Sequence, residues 1–260
     1  MNTFQPRILR FDSLASTNLE AARRAAEGAT EGVCIVASEQ TAGRGRLQRQ
    51  WISPKGAGLY FSILLRPRID QSAWPLITLM ASLAVHDALL EACDLQTDIK
   101  WPNDILANNR KLCGILAETS ETAEKSDKHE RAVIVGIGIN LTRVAFPPEL
   151  HETATSVESA TGKAPDFEVV LQTLIRSLER HYMTLQSAEG LEKTIRAWSE
   201  SSSYAQGKRI VVSNGIEILE GTTRGLESDG ALRLETPAGE IKVVRAGDVT
   251  AVRTRSPLSL

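Results

Sequence analysis

The chain has 260 residues, 42% hydrophobic and 24% charged, an ordinary globular composition with enough apolar residues to bury a core and a length for a catalytic-sized domain with a small companion. Its 30 basic and 32 acidic residues leave a net charge of −2, which argues against a protein that coats nucleic acid by bulk charge. Cys34, Cys93 and Cys113 show no CxxC spacing, the first residues carry no secretory pattern, and no uninterrupted apolar run approaches the ~18 residues of a membrane span, so a cytoplasmic protein is expected.

Ile8 to Phe11 reads as a short strand, followed by an alanine-rich helix from about Thr17 to Glu27. Thr17 and Glu20 have capping-box spacing, and Gly28 is a natural stop. Val33 to Ala37 is an apolar run of strand length. A polar stretch from Gln40 to Gly58 separates it from a second such run, Leu59 to Leu65. A helix over Ala73–Cys93 is apolar on most faces and is expected to be buried. Ile99 to Trp101 leads into a Pro102-Asn103-Asp104 turn and strands near Ile105–Ala107 and Leu112–Glu118. Thr119 to Glu130 reads as a solvated hairpin loop, and Ala132 to Leu141 as a strand buried on both faces.

Phe167–Leu185 and Leu191–Trp198 form a helical pair. From Arg209 to Val252 short β-rich runs alternate with turn signals such as Ser228-Asp229-Gly230 and Pro237-Ala238-Gly239, which predicts a small barrel of about five strands. Two domains follow, 1–203 and 204–260, with the boundary in the Ser201 to Gly207 segment.

Charge is distributed unevenly. Gln40 to Arg68 contains six basic residues and no acidic one, so this segment is strongly cationic while the rest of the chain is acidic. Such an inversion marks a site for an anionic partner. Inside it, Ala42-Gly43-Arg44-Gly45-Arg46 pairs close backbone approach with planar donor forks for phosphate or carboxylate. It is neither a P-loop nor a GxGxxG fingerprint. Lys100-Trp101-Pro102-Asn103-Asp104 and Arg110-Lys111-Leu112-Cys113-Gly114 form a second constellation, offering a cation ligand and phosphate partners. The alternating glycines of Val135-Gly136-Ile137-Gly138-Ile139 read as close backbone packing in a strand, with Asn140 at its end a polar group for a pocket mouth.

Five elements occur in order: Ser16-Thr17-Asn18, QTAGRGRLQRQW from Gln40 to Trp51, KWPND from Lys100 to Asp104, RKLCGIL from Arg110 to Leu116, and VGIGINL from Val135 to Leu141. Together they resemble biotin protein ligases over nearly the whole chain. The resemblance implies an α+β fold, a mixed sheet packed with helices in the manner of class II aminoacyl-tRNA synthetases and biotin/lipoate ligases, with an SH3-like β-barrel at the C-terminus. It also implies ATP-dependent ligation of biotin to a lysine of a biotin carboxyl carrier protein domain, through biotinyl-5′-AMP and with Mg²⁺.

By the same resemblance Lys111 and Arg46 are catalytic, with Lys111 stabilising charge between carboxylate and α-phosphate. Ser16, Thr17, Asn18, Gln40, Arg44, Gly45, Arg46, Lys111 and Gly114 correspond to the biotin site. Arg46, Arg49, Trp51, Asn103, Lys111 and Asn140 correspond to the nucleotide site, and Asp104 to a Mg²⁺ ligand. Relatives often carry glycine where this chain has Gln48, which bears on the second half of the loop. Because the first strand starts at Ile8, the expectation is a monofunctional ligase without an N-terminal DNA-binding domain, with no nucleic-acid or membrane partner, as monomer or homodimer. The C-terminal segment from Gln206 to Arg255 carries eight basic and seven acidic residues, which does not favour a nucleic-acid role.

The competing readings are a lipoate or octanoate ligase or transferase of the same fold, and a basic-loop binding module without catalysis. A metal hydrolase is disfavoured because His86, His129, His151 and His181 are scattered without HExxH or clustered ligands.

Overall fold

The computed structural model describes residues 6–121, 131–213 and 217–251. The N-terminal part is built on seven strands: β1 (Arg7–Phe11), β2 (Val33–Ala37), β3 (Gly58–Leu65), β4 (Asp98–Lys100), β5 (Asp104–Ala107), β6 (Arg110–Glu121) and β7 (Arg131–Asn140). They form one mixed sheet in the order β1-β2-β3-β7-β6-β5-β4, with β1 parallel to β2 and every other pair antiparallel. The strand expected at Leu112–Glu118 extends at both ends, and Thr119 to Glu121 pair with Val133 to Arg131 instead of opening a loop. The rest of that expected loop lies outside the described residues.

Strands β2, β3 and β7 are continuous apolar runs because both faces of the sheet are covered. Helix α1 (Thr17–Ala26) lays Ala21 and Ala25 on Ile35, Leu64 and Ile134, its small side chains allowing close approach. On the other face α2 (Pro75–Cys93) packs over Phe61, Ile63, Val135 and Ile137, and α4 (Phe167–Leu185) and α5 (Gly190–Ser201) cover it in turn. Pro75 occupies the first turn of α2, where its missing N–H costs nothing; the expected start at Ala73 falls in a preceding 3₁₀ turn.

By length and composition α2 could cross a membrane, contrary to the sequence expectation, yet it is a mostly buried core helix. Its polar edge is tied to α4 through Arg180–Asp87, 2.8 Å, and Arg176–Glu91, 2.9 Å.

The capping box expected at Thr17 does not form. Ser16 is the N-cap, Thr17 is the first helical residue, and Glu20 turns to Arg23 and Arg24. These two arginines, Arg23 first, hold the Glu20 carboxyl down at about 2. The Thr17 hydroxyl is buried and engaged elsewhere, as described below.

After the short helix α3 (Val157–Thr161) and the α4–α5 pair, the chain forms β8 (Gln206–Ser213), β9 (Ile218–Leu226), β10 (Leu232–Glu235), β11 (Ile241–Val244) and β12 (Asp248–Ala251). These make a five-stranded antiparallel sheet in the order β11-β10-β9-β8-β12. Gly230 and Gly239 adopt φ of +82° and +81° in two of the turns read from sequence. The sheet is not a free appendage. Trp101 Nε1 donates to Gly230 O at 3.1 Å, Ser203 binds Asp98 through backbone and hydroxyl, and one apolar core runs through both parts. The segment read as the domain boundary is therefore pinned to β4.

Candidate active site

The register of β6 and β7 sets Gly114 opposite Gly138 and Leu116 opposite Gly136. The missing side chains leave a trough in the sheet, which other groups enter. A carbon built on Gly136 would lie 2.1 Å from Asn18 Oδ1, one on Gly138 2.5 Å from Trp51 Nε1, and one on Gly114 3.1 Å from Trp51 Cζ3. Above this floor lies a cavity of about 950 Å³. Ser16, Thr17, Asn18, Gln40, Arg44, Gly45, Arg46, Arg49, Trp51, Asn103, Asp104, Lys111, Gly114 and Asn140 all line it, so every site residue read from the sequence converges there.

One end of the cavity is a network of neutral groups at the start of α1. Thr17 N–H donates to Gln40 Oε1 at 2.8 Å, and Gln40 Nε2 donates to Ser53 Oγ at 2.9 Å. Ser62 Oγ, wholly buried, lies 2.6 Å from Asn18 Oδ1 and 2.7 Å from the Thr17 hydroxyl. Asn18 Oδ1 can only accept, so Ser62 gives it its single proton and accepts from Thr17. Asn18 Nδ2 donates to Leu116 O at 3.2 Å and Glu118 Oε2 at 2.8 Å. The Ser16 hydroxyl makes no cap bond to the helix.

The loop from Gly43 to Trp51 folds back on itself. Arg44 bridges to Gln50, Gly45 N–H donates to Arg49 O at 2.7 Å, and Trp51 N–H donates to Gly43 O at 2.9 Å. Gly43 is required, since a side-chain carbon there would fall 2.3 Å from Trp51 O. At the tip Leu47 and Gln48 have φ of 52° and 59°, the left-handed region that favours glycine. Gln48 thus keeps the backbone of a glycine position with a side chain attached.

Two of the loop's three arginines, and Lys55 just beyond it, are matched in place. Arg44 Nη2 lies 2.5 Å from Glu118 Oε1, Arg49 pairs with Asp248 of β12, and Lys55 meets Asp12 at 2.7 Å. Arg46 differs: Nη1 donates to Asn103 Oδ1 at 3.1 Å and to Gly247 O at 3.4 Å, and among the described residues no carboxylate pairs with it. Burial pulls its guanidinium below its ordinary value, with Asp248 and Asp104 opposing. An arginine so placed keeps its charge and directs it at the cavity.

The far end of the cavity is cationic. Lys111 Nζ lies 2.5 Å from Asp104 Oδ1 and 5.6 Å from the centre of the Trp51 ring. Its backbone is clamped to the segment after β7, N–H to Thr153 O at 2.7 Å and carbonyl from Thr155 N–H at 2.9 Å. Lys100 Nζ sits 3.7 Å from Asp104 Oδ2, and burial lowers its pKa while Asp104 pushes back. Asn103 Nδ2 donates to Ile115 O at 2.8 Å, so both ends of its amide are used and it acts as a holder of Arg46. Asn140 Nδ2 donates to Thr155 O at 3.0 Å. Around the cavity stand six basic side chains (Arg44, Arg46, Arg49, Lys100, Lys111, Lys208) and three acidic ones (Asp104, Glu152, Asp248), which favours anionic ligands.

Asp104, expected as a Mg²⁺ ligand, faces two ammonium groups. Among the described residues no group of three His, Cys, Asp or Glu side chains could cage a metal. This donor set does not fit a resident Mg²⁺ site; an ion carried on nucleotide phosphates would need no such cage. Sequence reasoning missed Ser62, Glu118 and Asp248, which hold the predicted residues from neighbouring strands and lie in no motif.

A glycine-floored cavity with a neutral hydrogen-bonding end, a cationic end and a folded Gly-Arg flap has the features of an enzyme that joins two anionic substrates away from water. The chain matches the biotin/lipoate A/B protein ligase family over residues 9–140 and the biotin protein ligase C-terminal domain over 207–250. It is 38% identical over 248 residues to the bifunctional ligase/repressor BirA of Bacillus subtilis, covering 93% of this chain and 73% of that protein. It is 36% identical over 241 residues to the biotin–[acetyl-CoA-carboxylase] ligase of Paracoccus denitrificans, covering 90% and 96%. The structure of the Aquifex aeolicus biotin protein ligase with biotin and ATP superposes with a TM-score of 0.80 at 28% identity, covering 95% of this chain and 99% of that one. The chain belongs to the biotin/lipoate A/B protein ligase family, and within it to the biotin protein ligases.

Proposed function

We infer that this chain catalyses ATP-dependent ligation of biotin to a protein lysine. The observation that carries the reading is the convergence of five sequence elements, far apart in the chain, on one cavity with a neutral and a cationic end. A carboxylate oxygen of biotin attacks the α-phosphorus of ATP, the bond to the bridging oxygen breaks, and pyrophosphate leaves. The ε-amine of an acceptor lysine then attacks the acyl carbon of biotinyl-5′-AMP, loses its proton, and AMP departs. The acceptor is the carrier domain of a biotin-dependent carboxylase. Three free cysteines, two of them buried, accord with a reducing cytoplasm.

Each group has work to do in that sequence. The Ser16–Asn18 network and Gln40 offer hydrogen bonds to an uncharged ring end of the acid. Lys111, Arg46 and Lys100 offset the repulsion between the incoming carboxylate and the phosphates, an electrostatic task that counts for more in a water-poor cavity. Asp104 holds Lys111 and Lys100 in place. The loop shields the mixed anhydride from hydrolysis until the lysine arrives.

The test is pyrophosphate release from ATP in Mg²⁺ buffer with biotin, lipoate or no acid. Release that depends on biotin supports the reading. Release that depends on lipoate moves the activity to the other branch of the family, and silence with both acids in folded protein refutes adenylation.

A further inference from the structure

Glu118 lies on β6, two residues beyond the RKLCGIL motif, with its side chain 29% exposed. Its two carboxylate oxygens go to different parts of the molecule. Oε1 is 2.5 Å from Arg44 Nη2 on the loop, and Oε2 accepts from Asn18 Nδ2 on α1 at 2.8 Å. Glu118 does not line the main cavity. It lines a smaller opening of about 570 Å³ together with the loop from Thr41 to Gln50, so it touches the loop and Asn18 without lining the main cavity.

Asn18 has little freedom of its own. It is 5% exposed, its Oδ1 takes the Ser62 proton, and it fills the space that a side chain on Gly136 would need. Its orientation at the neutral end of the cavity depends on what Nδ2 finds on β6. Arg44, by contrast, is anchored at the base of a loop whose tip carries two left-handed residues, Leu47 and Gln48. One carboxylate spans the two. The connection continues through Asn18, Ser62, Thr17, Gln40 and Ser53 to the Trp51 carbonyl, where Ser53 Oγ donates at 3.2 Å. Both ends of the Gly43–Trp51 loop are thus joined by a single run of polar contacts that passes through Asn18, Thr17 and Gln40 at the neutral end of the cavity.

We propose that Glu118 is a positioning residue that couples closure of the Gly43–Trp51 loop to the orientation of Asn18, and so sets how tightly the activated acid is retained. This rests on the ligase reading given above. An open loop releases Arg44, leaves Glu118 with one partner and loosens Asn18. A ligand that orders Asn18 favours the closed loop in return, as linkage requires.

The test uses the full chain with biotin, ATP and the carrier domain. It measures biotin KM and kcat for pyrophosphate release, and the fraction of adenylate that escapes to solution. Glu118→Ala removes both bonds. Glu118→Gln keeps the size but turns one of the two acceptor oxygens into a donor NH2 that faces Arg44 or Asn18. Both variants are expected to raise biotin KM by about tenfold or more, the scale of a lost charge-assisted hydrogen bond. Escape should rise several-fold, with kcat at saturating biotin within about threefold of wild type, since no group facing the phosphates is altered. Adding Arg44→Ala to Glu118→Ala should produce no further escape.

Unchanged KM and escape in both variants overturn the proposal, as does a fully additive double variant. Wild-type protein without biotin-dependent pyrophosphate release would instead overturn the ligase reading, before any variant is compared. Glu118→Gln, isosteric on an already formed strand, keeps the test open if the alanine variant fails to fold.

Discussion

The Trp51 indole rests on Gly138, so closely that a side-chain carbon on the glycine would lie 2.5 Å from Trp51 Nε1. The glycine exists to let the ring down onto the sheet, and the ring forms one wall of the cavity beside Lys111. Gly138→Ala should lift the ring, displace the loop it ends, and reduce kcat/KM for biotin by about tenfold or more, with overpacking of about 1–3 kcal/mol in stability. Combining it with Trp51→Ala removes the clash, so the alanine at 138 should then cost little. Steady-state pyrophosphate release across the four-member cycle checks this; additive losses would show that the contact is not the cause.

Lys111 places its ammonium beside the Trp51 ring at the cationic end, fixed by Asp104 at 2.5 Å and by the clamp to Thr153 and Thr155. Lys111→Ala should slow adenylate formation by about 10²–10³-fold, the range for removing one preorganised charge-stabilising donor. Folding should survive, since the clamp uses only backbone atoms. Single-turnover pyrophosphate release with an unfolding curve on the same sample decides between loss of chemistry and loss of structure. A near-normal rate would remove Lys111 from its assigned role.

The sequence made legible the residues that carry chemistry because they sit in short runs on strands, on a loop and at a helix start, where residue type is dictated locally. Lys111 and Gly114 follow one strand pattern, and Gly136 and Gly138 another. That Gly114 faces Gly138 across the two strands is a matter of register, which no local pattern prints. Thr17 illustrates the opposite failure. Its spacing to Glu20 satisfies a capping box, but Ser62 on β3 and Gln40 after β2 compete for the hydroxyl, and Arg23 and Arg24 for the carboxylate. The sequence also could not show which cations of the Gly43–Trp51 loop are matched: Glu118 and Asp248 neutralise Arg44 and Arg49, whereas Arg46 bonds Asn103 and lines the cavity.

Asn103 holds Arg46 through Oδ1 and is itself fixed by Ile115 O. Arg46→Gly should let more adenylate escape and also slow its formation. Asn103→Ala should reproduce a weaker form of the same defect, and adding it to Arg46→Gly should change nothing further. Trapping the free intermediate with hydroxylamine measures escape directly; a defect of Asn103→Ala that adds to that of Arg46→Gly would show that Asn103 acts on the nucleotide by another route.

His86 is half-buried at the α2 edge with Nδ1 2.8 Å from Thr97 Oγ1, and burial pulls its pKa below the ordinary 6.5, with Asp87 and Asp98 opposing. The unfolded chain therefore takes up a proton here at higher pH than the folded chain, so this site lowers stability as pH falls through the ordinary histidine range. His86→Gln should flatten the acid side of the Tm profile between about pH 7 and pH 5. An unchanged slope would assign the acid sensitivity to other groups.

Gln48 sits at the strained tip of the loop. Its φ of 59° follows a left-handed Leu47, so the closed loop carries two neighbouring residues in a conformation that costs non-glycine side chains about 1–2 kcal/mol each. Glycine at 48 would relieve one of these costs. It would also enlarge the freedom of the open loop, an opposing effect of about 0.5–1 kcal/mol. The balance favours closure by about 0.5–1 kcal/mol, equivalent to about two- to fivefold slower escape of the adenylate. Gln48→Ala, which keeps the Cβ and the strain, should behave as wild type. Equal effects of glycine and alanine would place the change in the side chain's contacts and not in the backbone, and faster escape with glycine would mean that the open loop gains more than the closed one.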